Sequence, residues 1–222
     1  MSNSVIRAFI LKDLYASRWT MIGALVVAAV ALAIAHTGPL GAYTAMIFLI
    51  SAGAAPAVFV CMFLVMAERK EKTHLFCLSL PISGRQYALA KMAAAAVAFL
   101  VPWALIAAVI GVLVAILPVP TGFAPFGCML WTFALDLFAL MVATTMVGNS
   151  DGLNVAAIIF FNTSFGFYFF IFMRIPAIGQ HTADAHALWS PVVFQVIGAQ
   201  VLIAAALIAF TVWRLSKRRD FT

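Results

Sequence analysis

The chain has 222 residues, of which 66% are hydrophobic and only 9% are charged, and its mean hydropathy is +1.13. A soluble domain carries about 25% charged residues, so this composition excludes a water-soluble globule. The net charge of +6 would suit a nucleic-acid ligand. However, the basic residues form three clusters at the ends of apolar runs, which indicates membrane orientation and no nucleic-acid partner.

The segment before the first apolar run, residues 1–19, is predicted to be a helix lying in the membrane surface. Its apolar residues share a broad arc when they are placed on a helix, although Asp13 falls inside that arc. Lys12, Asp13 and Arg18 interrupt any early apolar core, which argues against a secretory signal. The alternative is a frayed basic tail that only orients the first span.

Six apolar runs then follow one another and predict an all-α integral membrane protein with one transmembrane domain covering residues 1–222. Each run is near or above the ~20 residues that cross a ~30 Å hydrocarbon core. The predicted spans cover approximately residues 20–36, 43–67, 87–117, 123–147, 155–172 and 191–213. The third run is longer than one crossing needs, so we expect its first turns to project from the membrane and Pro102 to bend it.

The distribution of basic residues predicts the orientation of these spans. Twelve of the thirteen Lys and Arg residues fall on one side of a six-span arrangement, and only Arg174 falls on the other. By the positive-inside rule, both termini are expected in the cytoplasm, with the chain crossing a plasma membrane several times. A bare six-span chain of this size looks bacterial, which would make this the inner membrane.

The sequence carries no motif for covalent chemistry or nucleotide binding. It has no GxxxxGK[ST] loop, no GxGxxG turn after a strand, no GxSxG elbow and no HExxH pair. We therefore expect no catalytic residue, no bound cofactor and no enzyme activity in this chain. Cys61, Cys77 and Cys128 lack the spacing of a metal or disulfide framework and are interpreted as reduced packing residues.

The connection between the last two spans contains His181, Asp184 and His186. These residues could bind a metal or sense pH, but no fixed fourth ligand accompanies them, so a solvated loop is favoured. The connection is also long enough to contain a short re-entrant or surface helix.

Asp136 lies in the middle of the fourth span, where a carboxylate costs about 2.5–3.5 kcal/mol on insertion scales. Thr132 and Thr144 lie four residues before and eight residues after it, which predicts a polar stripe on one helix face. Asp136 could contact a cationic substrate or carry a proton. Alternatively, it is neutral and hydrogen-bonded to Thr132 or to a neighbouring helix.

The fifth span is unusually polar for a membrane helix. It contains Asn154, Asn162, Thr163 and Ser164, and Gly166 would let another backbone approach closely. Small and polar residues of this kind are favoured where membrane helices pack together. The span is therefore predicted to line a pathway or a dimer interface, with Asn162 grouped with the stripe of the fourth span.

The connection after the second span, residues 68–91, begins with charged residues, breaks at Pro81 and restarts as a helix at Ser83. Between them lies an apolar patch made of Leu75, Phe76, Leu78 and Leu80. A short amphipathic helix outside the membrane must bury such residues against something. The membrane surface and the protein's own helix ends are possible, and docking to a soluble partner is the more specific hypothesis.

Several parts of the sequence resemble permease subunits of the type-2 ATP-binding-cassette exporters. These are Glu68 at the end of the second span, the Leu-Ser-Leu-Pro-Ile-Ser stretch at 78–83, Lys91 in the next helix, and the pair Lys12-Asp13. The likeness covers nearly the whole chain in architecture but only about twenty residues in motif. Many relatives have a basic residue directly after Pro-Ile-Ser, whereas here Gly84 holds that position and Arg85 follows it.

The resemblance implies a transmembrane subunit that pairs with itself or with a related permease. It also implies a partner, an ATP-binding-cassette subunit that would hold the ATP and Mg. Residues 70–80 would form a coupling helix in the groove of that ATPase, with Glu68 at the hinge. The implied coupling residues are Glu68, Lys72, Leu75, Phe76, Leu78, Leu80 and Pro81.

The expected function is therefore that of an exporter subunit, which moves a hydrophobic or amphipathic peptide, lipid or drug out of the cytoplasm. Two alternatives remain open. A proton- or ion-coupled secondary transporter would use Asp136 as its titrating group, although the chain lacks matching Gly/Pro-broken helices in its two halves. A non-transporting membrane scaffold would use the connection after the second span for assembly.

Overall fold

The computed structural model describes residues 3–37, 39–66, 84–116, 121–148 and 150–217, and all regular structure in these ranges is helical. Six helices are long and apolar enough to cross a membrane. They are α1 (Asn3–Ala35), α2 (Pro39–Cys61), α3 (Gly84–Ile116), α4 (Ala124–Val147), α5 (Asp151–Met173) and α7 (Pro191–Lys217). The four-residue helix α6 (Pro176–Gly179) lies between α5 and α7. The predicted all-helical, six-span architecture is confirmed for this part of the chain.

The helix bounds differ from the predicted spans mainly at the first two helices. α1 runs without a break from Asn3 to Ala35, so the structure does not separate a surface segment at residues 1–19 from the first span. Its 33 residues extend about 50 Å, well beyond a hydrocarbon core. α2 continues into a π-helical turn at Met62–Met66. α3 also has 33 residues and is continuous through Pro102.

Successive long helices alternate in direction, so the bundle has two ends. The end that we call the basic end carries the first turns of α1 and α3, the end of α2 and the last turn of α7. The opposite end carries the α1–α2 connection, the turn before α4 and the loop 174–190. Among the described Lys and Arg residues, all but Arg174 belong to the basic end.

α4 lies at the centre of the bundle and packs against α2, α5 and α7, while α1 packs against α2 and α3. Phe138 of α4 stacks on Phe99 of α3 with ring centroids 4.5 Å apart. Ala94 and Ala95 of α3 are completely buried in the same cluster. Their small side chains allow α3 to approach its neighbours closely.

A second close approach joins α2 to α4. A Cβ atom added to Gly53 would lie 2.6 Å from the Trp131 ring, so the glycine is in contact with the flat indole. The backbone carbonyl of Trp131 accepts a 3.2 Å hydrogen bond from the Trp103 indole N–H of α3, and the two indoles stack. The absence of a side chain at Gly53 therefore lets α2 and α4 pack closely at this point.

At the opposite end, the loop 174–190 is fastened to the turn that precedes α4. The Gly122 N–H donates to the Asp184 carbonyl at 3.0 Å, and the Thr121 N–H donates to the Ala185 carbonyl at 3.2 Å. The carbonyl of His181 leaves no room for a side chain at Gly122. The short helix predicted in this loop is present as α6.

Candidate functional site

The segment 67–83 falls outside the described residues. The predicted coupling residues Glu68, Lys72, Leu75, Phe76, Leu78, Leu80 and Pro81 all lie in that segment. The helices on either side of it, α2 and α3, are described. Within the described helices, polar side chains meet in two constellations, one near the basic end and one in the middle of the bundle.

Near the basic end, Asp13 of α1 and Lys91 of α3 form a buried ion pair. Lys91 Nζ lies 2.8 Å from Asp13 Oδ2, and both side chains are 1% exposed. The half-exposed Lys12 lies 3.6 Å from the other carboxylate oxygen, Oδ1. Removal of one charge from such a pair is strongly destabilising, so this contact holds α1 and α3 together.

Aromatic rings enclose the Lys91 ammonium group. Phe9 of α1 and Tyr87 of α3 meet edge to face with centroids 5.6 Å apart. The Lys91 Nζ lies 5.7 Å and 5.8 Å from the centroids of these two rings, within cation–π range. Ser17, one turn after Asp13, donates its hydroxyl hydrogen to the Asp13 backbone carbonyl at 3.0 Å. The pair is therefore a packed polar contact between two helices.

In the sequence, Lys12-Asp13 and Lys91 are separate features of the resemblance, and their positions do not predict that Asp13 and Lys91 meet. A signal was present, because Asp13 falls on the apolar arc of its helix and Lys91 follows the start of a long apolar helix. Charged residues are rarely fully buried unless they are paired. Two opposite charges on apolar helix faces are therefore candidates for each other.

The second constellation joins α4, α5 and α7 through the side chain of Gln200. The Thr132 hydroxyl donates to Gln200 Oε1 at 2.7 Å. Gln200 Nε2 donates to the Met129 backbone carbonyl at 3.1 Å and to the Tyr168 hydroxyl oxygen at 3.0 Å. The amide of Gln200 thereby uses its acceptor and both of its N–H donors, so it crosslinks three membrane helices.

Asp136 lies one turn after Thr132 on α4 and is partly exposed. Its Oδ1 atom is buried, and no described residue donates a hydrogen bond to it or forms an ion pair with the carboxylate. The predicted bond from Thr132 to Asp136 is absent, because the Thr132 hydroxyl is directed to Gln200.

The other two candidate pathway residues do not join this cluster. The Thr144 hydroxyl donates to the Met141 carbonyl of its own helix at 3.2 Å. The Asn162 amide is exposed and donates to the Ile158 carbonyl of its own helix at 2.9 Å. Eight residues turn Thr144 about 80° away from Asp136 on the helix, and the polar stripe along α4 stays a prediction.

Two members of the cluster, Gln200 and Tyr168, were missed by the sequence analysis. Gln200 lies in the middle of the last apolar run, and an amide at that depth is expected to find a partner on another helix. Gly166, which was predicted to admit a neighbouring backbone, has no described atom within 4 Å of an added Cβ. Among the described residues, no neighbouring backbone approaches Gly166 as that prediction requires.

The histidines and cysteines form no centre in the described ranges. His181 Nδ1 lies 2.8 Å from Asp184 Oδ2 in the loop of the opposite end, and His186 is exposed. No three His, Cys, Asp or Glu residues among those described are close enough to hold a metal ion. Cys61 is a buried free thiol and Cys128 an exposed one.

These features define the class of the protein. Six long apolar helices, with polar side chains bonded to one another between them, make the chain a multi-span helical membrane protein. No protein-family model matches the chain, and comparisons with curated proteins and with solved structures give no match either.

Proposed function

We propose that this protein is the permease subunit of an ATP-binding-cassette exporter. In this proposal the chain pairs with itself or with a related permease in the bacterial inner membrane, with its basic end in the cytoplasm. A separate ATPase subunit supplies ATP and Mg. The cargo is a hydrophobic or amphipathic molecule.

The observation that supports this proposal best is the ion pair between Asp13 and Lys91. Both residues belong to the parts of the sequence that resemble the exporter permeases, yet they are remote in the chain. Their contact lies two turns after the start of α3 at Gly84, where the segment 67–83 enters the bundle. A residue pair in this position ties α1 to the helix that the proposed coupling segment would move.

The mechanism follows from this connection. When the ATPase closes on nucleotide, it pulls on the segment 70–80, which is held between the end of α2 and the start of α3. α3 tilts, and α1 follows because the buried charges cannot be separated without a large free-energy cost. The described chain supplies the mechanical link, and the partner subunit supplies the hydrolysis.

Copurification in mild detergent tests the proposal. The chain is expressed with its natural neighbouring genes, and the purified sample is examined for a soluble ATP-binding subunit. We expect Phe76→Asp to abolish the association, because it places a charge in the apolar patch that would dock. Phe221→Asp, the same substitution in the C-terminal segment, is the matched control and is expected to retain the partner. A solitary membrane protein, or association that survives Phe76→Asp, contradicts the proposal.

A second candidate function is a proton- or ion-coupled secondary transporter. The observation that favours it is Asp136, an acidic residue at mid-bundle with no ion pair among the described residues. Purified protein in liposomes, with no ATPase present, distinguishes the two functions. Transport driven by a proton gradient and lost in Asp136→Asn would favour the carrier over the permease.

A further inference from the structure

The surface of α4 forms a cleft between α5 and α7. Thr132 bonds to Gln200 of α7, and the neighbouring Phe133 stacks on Tyr168 of α5 with ring centroids 4.6 Å apart. On a helix with 3.6 residues per turn, position 136 projects between positions 132 and 133. Asp136 therefore projects toward the gap between α5 and α7.

The cleft is closed toward the opposite end of the bundle and open toward the basic end. Met129, two turns before Asp136 on the same face, is completely buried and packs in a cluster with Val193 of α7. Leu140 and Ala143 continue the same face beyond Asp136 and are partly exposed. A ligand whose polar group reached Asp136 would therefore lie with its apolar part along Leu140 and Ala143.

The charge of Asp136 indicates the charge of that ligand. Phe133 stacks on Phe161 with centroids 4.7 Å apart and lies 6.3 Å from Phe165, so the α5 side of the cleft is apolar. Gln200 has no spare donor, as described above, and the Asp136 carboxylate is the charged group of the cleft. A cation is the ligand whose charge complements an ionised carboxylate, whereas an anionic ligand would add a second negative charge at membrane depth, which is costly.

We propose that this cleft binds the cationic head of an amphipathic molecule, of the alkylammonium class, at Asp136. The apolar part of the molecule lies along α4 between α5 and α7. The interpretation of this cleft as a cargo site rests on the proposed permease function. Binding itself requires no ATPase and is measured without one.

The experiment uses a matched pair of fluorescent probes, diphenylhexatriene and its trimethylammonium derivative, which share one fluorophore and differ in the cationic head. The full chain is placed in nanodiscs of zwitterionic phosphatidylcholine. Energy transfer from the protein's tryptophans to each probe reports binding, at about pH 8.5, well above the ordinary pKa of a carboxyl group. Decyltrimethylammonium and decanol serve as charged and uncharged competitors.

We expect the unaltered protein to bind the cationic probe about tenfold more tightly than the neutral one, which corresponds to about 1.4 kcal/mol. Asp136→Asn should abolish this preference and leave the neutral probe unchanged, whereas Asp136→Glu should keep it. Asp184→Asn, the same chemical change in the loop of the opposite end, is the matched control and should behave as the unaltered protein.

Two results would overturn the inference. The first is equal binding of both probes by the unaltered protein, with decanol displacing them as well as decyltrimethylammonium does. This measurement needs no variant, so it decides the question even if Asp136→Asn fails to fold. The second is a preference for the cation that persists in Asp136→Asn. Neither result bears on whether an ATPase copurifies, so failure here is distinguishable from failure of the proposed function.

Discussion

At the residue scale, the two acidic residues Asp13 and Asp136 differ in burial and in pairing. Asp13 is fully buried and lies 2.8 Å from a lysine. Asp136 is partly exposed, and its buried oxygen has no donor among the described residues. A paired buried carboxylate stabilises a particular helix arrangement, whereas a carboxylate without a counter-charge marks a place where a ligand or proton can bind. The two residues therefore have different proposed roles, one structural and one in recognition.

The ion pair predicts a specific pattern of stability changes. Asp13→Ala and Lys91→Met should each lower the free energy of unfolding by about 3–5 kcal/mol, because each removes one charge of a buried ion pair and leaves the other buried. The double substitution should lose less than the sum of the two single losses, since an apolar pair replaces the ionic one. Thermal unfolding in detergent measures the three variants.

Lys12→Ala provides the control for that series. Lys12 is half exposed and lies 3.6 Å from the Asp13 carboxylate, farther than Lys91 does, and a half-exposed charge is screened by solvent. It should unfold close to the unaltered protein. Strictly additive losses in the Asp13/Lys91 double variant would contradict the assignment of these residues as an interacting pair.

At the element scale, α4 organises the bundle because it is the helix that packs against α2, α5 and α7. Its contacts differ along its length. Trp131 lies against a glycine of α2, and Thr132 and Phe133 reach α7 and α5. Membrane helices gain no hydrophobic free energy by associating in lipid, so close packing and interhelical hydrogen bonds decide which helices meet.

The contact between Gly53 and Trp131 predicts the effect of one added methyl group. Gly53→Ala should destabilise the protein by about 1–3 kcal/mol, because the new Cβ overlaps the indole and forces α2 and α4 apart. Gly23→Ala on α1 is the matched control, since nothing lies within 4 Å of its Cβ position. Thermal unfolding of the two variants is the measurement.

Alanine is a better helix former than glycine by roughly 0.8–1.0 kcal/mol, so Gly23→Ala should be neutral or slightly stabilising. Trp131→Phe should relieve part of the loss in Gly53→Ala by removing the ring that the methyl group meets. Equal stability of Gly53→Ala and Gly23→Ala would show that α2 and α4 do not pack as described.

At the scale of the whole molecule, the two ends of the bundle differ in charge. The basic end collects most of the described Lys and Arg residues, while the opposite end has Arg174 and a loop held by backbone hydrogen bonds. Positive loops are retained in the cytoplasm during insertion. The orientation in the proposed function, with the basic end in the cytoplasm, is therefore based on this charge asymmetry.

Cysteine labelling in intact bacterial cells tests this orientation. In a chain whose own cysteines, Cys61, Cys77 and Cys128, are replaced by alanine, Ala183→Cys places an exposed thiol in the loop of the opposite end. Ser216→Cys places one at the basic end, on an exposed position of α7. A membrane-impermeant maleimide should label Ala183→Cys in whole cells and Ser216→Cys only after lysis. The reverse pattern would mean that the basic end faces outward. A cytoplasmic ATPase could then not dock there, which would contradict the proposed function.

The sequence by itself determined the membrane class, the number of long helices and most of their bounds. These properties depend on the summed hydrophobicity of about 20 consecutive residues, which is local information. The sequence also identified Asp136 as a candidate, because placing an acidic residue of an apolar run in the membrane costs free energy wherever its helix lies. The coupling segment and the orientation remain predictions from the sequence.

Only the tertiary structure decided which polar residues meet. Asp13 pairs with Lys91, and Thr132 bonds to Gln200, across separations of many residues along the chain. These contacts depend on the rotation of each helix about its axis and on its choice of neighbour. Those choices are set by close packing at sites such as Gly53 and Trp131, and hydropathy along one chain contains no measure of them.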